Sequence, residues 1–130
     1  MTTTVFPALR TTDVESTITM LVTLGFEERL MVRDDEDPSL VLHAEYALGE
    51  TGGIMFGSVR NDGSALDSVG GASIYVVVPT EREVDRLYRE IRDLGHAIVR
   101  PVSTQSYGGR EFAFRDHDGN SWGGGSYRGV

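Results

Sequence analysis

Cysteine is absent from this 130-residue chain, and so is lysine. The first absence excludes disulfides, zinc–thiolate sites, iron–sulfur clusters and thiol nucleophiles. The second excludes Schiff-base and lysine general-base chemistry, since all twelve basic residues are arginine. No stretch approaches the roughly 20 apolar residues a membrane-spanning helix needs. The N-terminal Met1-Thr2-Thr3-Thr4-Val5 lacks the basic segment and apolar run of a secretory signal. The expectation is a soluble cytoplasmic protein with no membrane partner. Positive charge is also scarce: the net charge is −8, which argues against nucleic acid as a partner, because phosphate binding requires a basic face.

What is present is ordinary for one globular domain, with 39% hydrophobic and 25% charged residues. The charge is uneven. Residues 1–68 hold 4 Arg and 12 acids, and residues 69–130 hold 8 of each. The acidic run Asp34-Asp35-Glu36-Asp37-Pro38 reads as a solvated hairpin loop, its alternative being attraction of a cationic ligand.

The chain repeats itself. Thr12-Asp13-Val14-Glu15 and Thr80-Glu81-Arg82-Glu83 share the Thr-x-x-Glu pattern of a helix-capping box. Apolar residues then recur at helical spacing, Val14, Ile18, Leu21 and Val22 in one copy and Val84, Leu87, Ile91 and Leu94 in the other. Both stretches stop at Leu-Gly, Leu24-Gly25 and Leu94-Gly95, where glycine suits the left-handed turn closing a helix. A β-prone run precedes each helix, Thr4 to Leu9 and Ser73 to Val78. Three more follow each: Glu27–Arg33, Leu40–Ala47 and Gly53–Val59, then Ala97–Val102, Arg110–Arg115 and Ser121–Tyr127. Phe56-Gly57-Ser58-Val59 matches Gly124-Gly125-Ser126-Tyr127 at an offset of 68. The expected fold is α+β: a single domain over residues 1–130, built of two βαβββ modules (about 3–60 and 72–128) joined through Asn61 to Gly71. Their curled mixed sheet should enclose a concave cleft for a small ligand.

With the repeat stand three local motifs: Leu24-Gly25-Phe26-Glu27, Tyr107-Gly108-Gly109-Arg110 and Asp116-His117-Asp118-Gly119-Asn120-Ser121-Trp122. Together they resemble the vicinal oxygen chelate superfamily, which includes glyoxalase I, extradiol dioxygenases, fosfomycin-resistance proteins and bleomycin-resistance proteins. The last motif is close to that family's Asp-Pro-Asp-Gly-Asn-x-Trp ending. The resemblance implies homodimers that share clefts. It also implies, in the enzymes, a divalent metal held by His, Gln or Glu from the first and last strand of each module. Here the first strand, Thr3 to Leu9, and its counterpart, Ala72 to Val78, contain no such residue. The fourth strand offers Met55, and the last has Gly123 where the enzymes place a glutamate. A thioether does not replace oxygen or nitrogen ligands for a hard cation. No metal and no cofactor are therefore expected.

The remaining residues carry the ligand expectation. His43 and Glu45 lie two apart, share a strand face and point to the cleft, either as a base with its orienting carboxylate or as a polar pair at the cleft or a dimer contact. Arg110, Phe112 and Phe114 share a face of the seventh strand, and an offset of 69 from His43 to Phe112 puts them on the concave side. There the rings would stack on a planar ligand, and Arg110 would grip its carboxylate or phosphate or else bridge an acid. Met55, Tyr75 and Tyr107 complete the lining, with Trp122 either packed under the helix or lining the pocket. His96 and His117 are read as solvent-facing loop residues. Gly123-Gly124-Gly125 implies close backbone approach, a bulge or added pocket volume. Asp116 to Asn120 reads as a hairpin turn, being too short for a twelve-residue calcium loop. The function expected is metal-independent binding of a small molecule, including antibiotic sequestration. The alternative is a lyase, isomerase or dioxygenase of the same superfamily.

Overall fold

The computed structural model of the chain describes residues 3–130; Met1 and Thr2, the start of the N-terminal stretch read above, lie outside them. The chain divides into two compact units between Val69 and Gly70, within the segment read as the joint. The first unit runs β1 (Ala8–Thr11), α1 (Val14–Thr23), β2 (Glu27–Arg33), β3 (Val41–Leu48) and β4 (Gly52–Ser58). The second repeats this order as β5 (Ser73–Val77), α2 (Glu81–Asp93), β6 (Ala97–Thr104), β7 (Arg110–Arg115) and β8 (Ser121–Gly125). Each unit forms its own four-stranded mixed sheet, ordered β1-β4-β3-β2 and β5-β8-β7-β6. The outer pairs β1–β4 and β5–β8 are parallel, and the rest are antiparallel.

The helices begin and end where their residues dictate, with one correction. Thr80 caps α2 by accepting the Glu83 amide at 3.2 Å. The cap of α1 is Asp13 rather than Thr12, its carboxylate accepting from the Ser16 amide at 3.1 Å. Asp is as good a cap as Thr, and the shift accounts for one of the three residues by which α1 (10) is shorter than α2 (13). Gly25 (φ 104°) and Gly95 (φ 93°) adopt the left-handed conformation just past each helix, as the Leu-Gly pairs predict. The joint is not slack: Ala65–Asp67 forms a 3₁₀ turn, and Asp67 accepts the amides of Arg60 and Asn61 at 2.8 and 2.7 Å.

Alternation along the strands sets the core. In the first unit Ala44, Tyr46, Ile54 and Phe56 are buried, and α1 buries Val14, Thr17, Met20 and Leu21. In the second, α2 lies against β6, β7 and β8 and buries Val84, Leu87 and Ile91. Beneath it Phe112, Phe114 and Trp122 are fully buried. Each ring removed from water contributes roughly 2–3 kcal/mol, so this aromatic row is the main anchor of α2.

Candidate functional site

Strand register decides which side chains face away from the buried layer. Ala44 pairs with Phe56 in the first unit, and Phe112 with Gly124 in the second. Both members of the second pair follow those of the first by 68 residues, so the structural offset is 68 and not 69. A one-residue slip turns every side chain to the opposite face. Phe112 and Phe114 thus correspond to the buried Ala44 and Tyr46. The residue equivalent to His43 is Glu111, which the sequence reading missed.

The face expected for Arg110, Phe112 and Phe114 is accordingly corrected: all three lie on the helix side. Phe112 meets Tyr88 of α2 edge-on, with ring centroids 5.4 Å apart. Phe114 stacks on Trp122 at 6.3 Å, which settles Trp122 under the helix rather than in a pocket. Arg110 Nε pairs with Asp85 of α2 at 2.7 Å and its Nη1 reaches Thr104 Oγ1 at 3.3 Å. It clamps helix to sheet, in the bridging role that was its alternative. His96 is corrected as well: its ring lies 5.5 Å from Phe114, and burial lowers its pKa. His117 is exposed and sits 3.1 Å from Asp118.

The Asp116–Trp122 motif is a structural knot. Asp116 Oδ1 accepts the backbone amides of Asp118 and Asn120. Its Oδ2 accepts from Asn120 Nδ2 and Trp122 Nε1, both at 3.0 Å. Asn120 Oδ1 in turn accepts the amides of Gly71 and Ala72, stapling the β7–β8 turn to the entrance of β5. Every lone pair of the motif's central acid is therefore committed to folding. Among the described residues, no group of three or more His, Cys, Asp or Glu is placed to hold a metal ion.

On the far face of the first unit, His43 Nε2 lies 2.8 Å from Glu45 Oε2, and Met55 pairs across the sheet with both Glu45 and Ala8. Glu45 also borders a cavity of about 460 Å³ with Arg29, Tyr46 and Glu50. The observed β1 lies later than expected, at Ala8–Thr11, yet it still carries no carboxylate, amide or imidazole.

The far face of the second unit carries a more defined cluster. A cavity of about 550 Å³ is lined by Tyr75, Arg100, Tyr107, Glu111, Tyr127 and Arg128, among others. Glu111, only 3% exposed, accepts a hydrogen bond from the Tyr107 hydroxyl. Arg100 Nη2 stands 3.7 Å from the same carboxylate. The Tyr75 hydroxyl accepts the Tyr127 amide at 3.2 Å, and the rings of Tyr107 and Tyr127 meet edge to face at 5.6 Å. Burial, reinforced by Glu111, pushes the Tyr75 pKa up to about 12. The hydrogen bond to Glu111 is the main reason the Tyr107 pKa is raised. Both phenols are thus held protonated, as donors.

The glycine run is explained by the same cluster. A Cβ on Gly123 would stand 3.1 Å from Tyr75 Cδ2, and one on Gly125 would collide with the Tyr75 hydroxyl. On the opposite face, a Cβ on Gly124 would stand 2.8 Å from Phe112 Cε1. The strand lacks side chains because rings lie flat on both of its faces. Of the expected ligand-binding residues, Tyr75 and Tyr107 are brought together here. Glu111, Arg100, Tyr127 and Arg128 are additions, and only the offset between the glycine-bearing strands signals the first of them in the sequence.

The sequence matches the Glyoxalase/Bleomycin resistance protein/Dioxygenase superfamily over residues 4–123. No curated protein matches it. The structure is similar to TioX from Micromonospora sp. ML1, with 22% identity, 96% of this chain and 95% of that one covered, and a TM-score of 0.66. It is similar to protein PA1353 from Pseudomonas aeruginosa, with 18% identity, 92% and 94% covered, and a TM-score of 0.71. It also resembles the fosfomycin resistance protein FosX from Mesorhizobium loti, with 14% identity, 95% and 90% covered, and a TM-score of 0.67. The two βαβββ modules and the match along nearly the whole chain agree: this protein belongs to the glyoxalase/bleomycin resistance protein/dioxygenase superfamily.

Proposed function

We propose that this protein binds a small organic molecule without a metal ion, and that holding the molecule is its task. The observation that carries this reading is the side-chain chemistry of the parallel strand pairs. Where the family's metalloenzymes need imidazole, amide or carboxylate, the paired positions here hold Ala8 and Met55 in one module and Tyr75 and Gly123 in the other. That donor set does not fit a hard divalent cation. The ligand would sit against the tyrosine-lined face of the second module. An antibiotic, sequestered from its target, is the class we favour, because fosfomycin resistance proteins share the fold. A homodimer is part of the same proposal and would appear as twice the chain mass in analytical ultracentrifugation.

The test is a thermal-shift screen of antibiotics against the purified protein in excess chelator. A ligand that binds only the native state raises the melting temperature with concentration. Saturable stabilisation in chelator supports the reading; stabilisation that appears only after adding a divalent ion overturns it. A second reading, a metal-free lyase or isomerase, is favoured by one contact, the 2.8 Å His43–Glu45 pair, which can orient an imidazole as a base. Turnover of a bound compound, lost in His43→Ala, would establish it.

A further inference from the structure

Two of the buried carboxylates in the β7–β8 hairpin are satisfied in opposite ways. Asp116 is tied by two backbone amides, an asparagine and an indole. Glu111 is more deeply buried, at 3% exposure, yet among the described residues no backbone amide donates to its carboxylate. The groups that hold it reach the surface: Tyr107 is 57% exposed, Tyr75 42% and the Arg100 side chain 54%. Arg100 stands 3.7 Å away, beyond hydrogen-bond length. Tyr107 is followed by Gly108 and Gly109, both at positive φ. A buried carboxylate is costly unless paired, and here its pairing relies on the loop phenol of Tyr107, the half-exposed phenol of Tyr75 on β5 and one loosely placed guanidinium.

We propose that Glu111 is the anionic floor of a subsite for an aromatic or apolar ligand bearing an amidinium, guanidinium or ammonium group. This deepens the proposed binding function and rests on it. Arg100 and Tyr107 hold the place of the ligand: one supplies the positive charge, the other the hydrogen-bond donor. A cationic N–H group supplies both at once. The walls suit the same class, since Tyr75, Tyr107 and Tyr127 surround the cavity and tyrosine faces attract cations. Arg128, the other cation in the lining, is engaged through Nη2 with the Pro79 carbonyl at 3.2 Å. An anionic or neutral ligand that displaced Arg100 would leave Glu111 buried without a counter-charge.

The experiment is an amide-resolved NMR titration of the full chain in chelator with the near-isosteric probes benzamidine and benzoate. Benzamidine should move the Gly109, Gly123 and Gly125 amide resonances saturably, and benzoate should not. Glu111→Gln, which keeps an acceptor for Tyr107, should weaken benzamidine at least tenfold. Arg100→Ala, at an exposed position, should tighten it severalfold by removing a competitor, and serves if the Glu111 variant fails to fold. Undiminished binding by a folded Glu111→Gln, weaker binding by Arg100→Ala, or no benzamidine response overturns the proposal. If benzoate alone moves these resonances, the charge assignment falls while metal-free binding stands. If no probe moves them until a divalent ion is added, both fall.

Discussion

Replacing Asp116 by Asn tests the claim that the most polar motif of the chain is folding machinery. The substitution keeps size and shape but turns one acceptor oxygen into an NH₂ donor. In one orientation the new NH₂ faces Asn120 Nδ2 and Trp122 Nε1, both donors now 3.0 Å from Oδ2. In the flipped orientation it faces the amides of Asp118 and Asn120, donors at 3.0 and 2.9 Å from Oδ1. Either way two donors lose their acceptor, at about 1–3 kcal/mol each, so the loss should be about 2–6 kcal/mol. A domain of this kind has a total stability of about 5–15 kcal/mol. Urea denaturation followed by Trp122 fluorescence measures this directly, since the indole is itself a ligand of the carboxylate. A midpoint unchanged to within the equivalent of about 0.5 kcal/mol would refute the hydrogen-bond account. A metal-dependent midpoint in the wild type would refute the reading of the motif as a turn.

Two further outcomes follow from packing and titration. Gly124→Ala should destabilise by about 1–3 kcal/mol, because its Cβ would stand 2.8 Å from Phe112 Cε1 within a closed aromatic layer. Gly123→Ala should be milder, because the Tyr75 ring it meets at 3.1 Å is 42% exposed and can shift outward at the expense of the 3.2 Å bond from the Tyr127 amide; equal losses in urea melts would contradict this. The pKa of His96 is lowered in the fold by burial, so the folded state prefers the neutral ring. The resulting stability is complete above the unfolded value near 6.5 and is lost as pH falls through the lower folded value. His96→Leu should flatten that part of the stability–pH curve, and an unchanged slope between wild type and variant would contradict the assignment.

The fold was legible because its signals repeat. Both Leu-Gly stops, the six strands that follow the helices and the closing glycine-rich strands recur in order, so any one weak signal was supported by its copy. The faces were less legible. Strand patterns have a period of two, and the chain offers two competing offsets, 70 at the helix-stopping glycines and 68 at Phe56-Gly57-Ser58 against Gly124-Gly125-Ser126. An offset of 69, between the two, turns Phe112 and Phe114 outward and hides Glu111. Keeping the strand offset of 68, set by the residues that pair in β4 and β8, would have exposed the equivalence of His43 and Glu111. Arg110 misled for a different reason: its partner Asp85 lies on a helix 25 residues earlier, a long-range contact that no local pattern encodes. The role of the three glycines could not be chosen from sequence, because it depends on where the rings of Tyr75 and Phe112 lie.

The strands that would carry metal ligands lack the donor chemistry to hold a hard cation, and this point is open to a direct test. Titrating Ni²⁺, Zn²⁺ and Mn²⁺ into chelator-treated protein by isothermal calorimetry addresses it in one measurement. No stoichiometric uptake of any of the three ions is expected. One equivalent bound per chain, abolished by His43→Ala and Glu45→Ala, would contradict it and return the protein to the metalloenzymes of its superfamily.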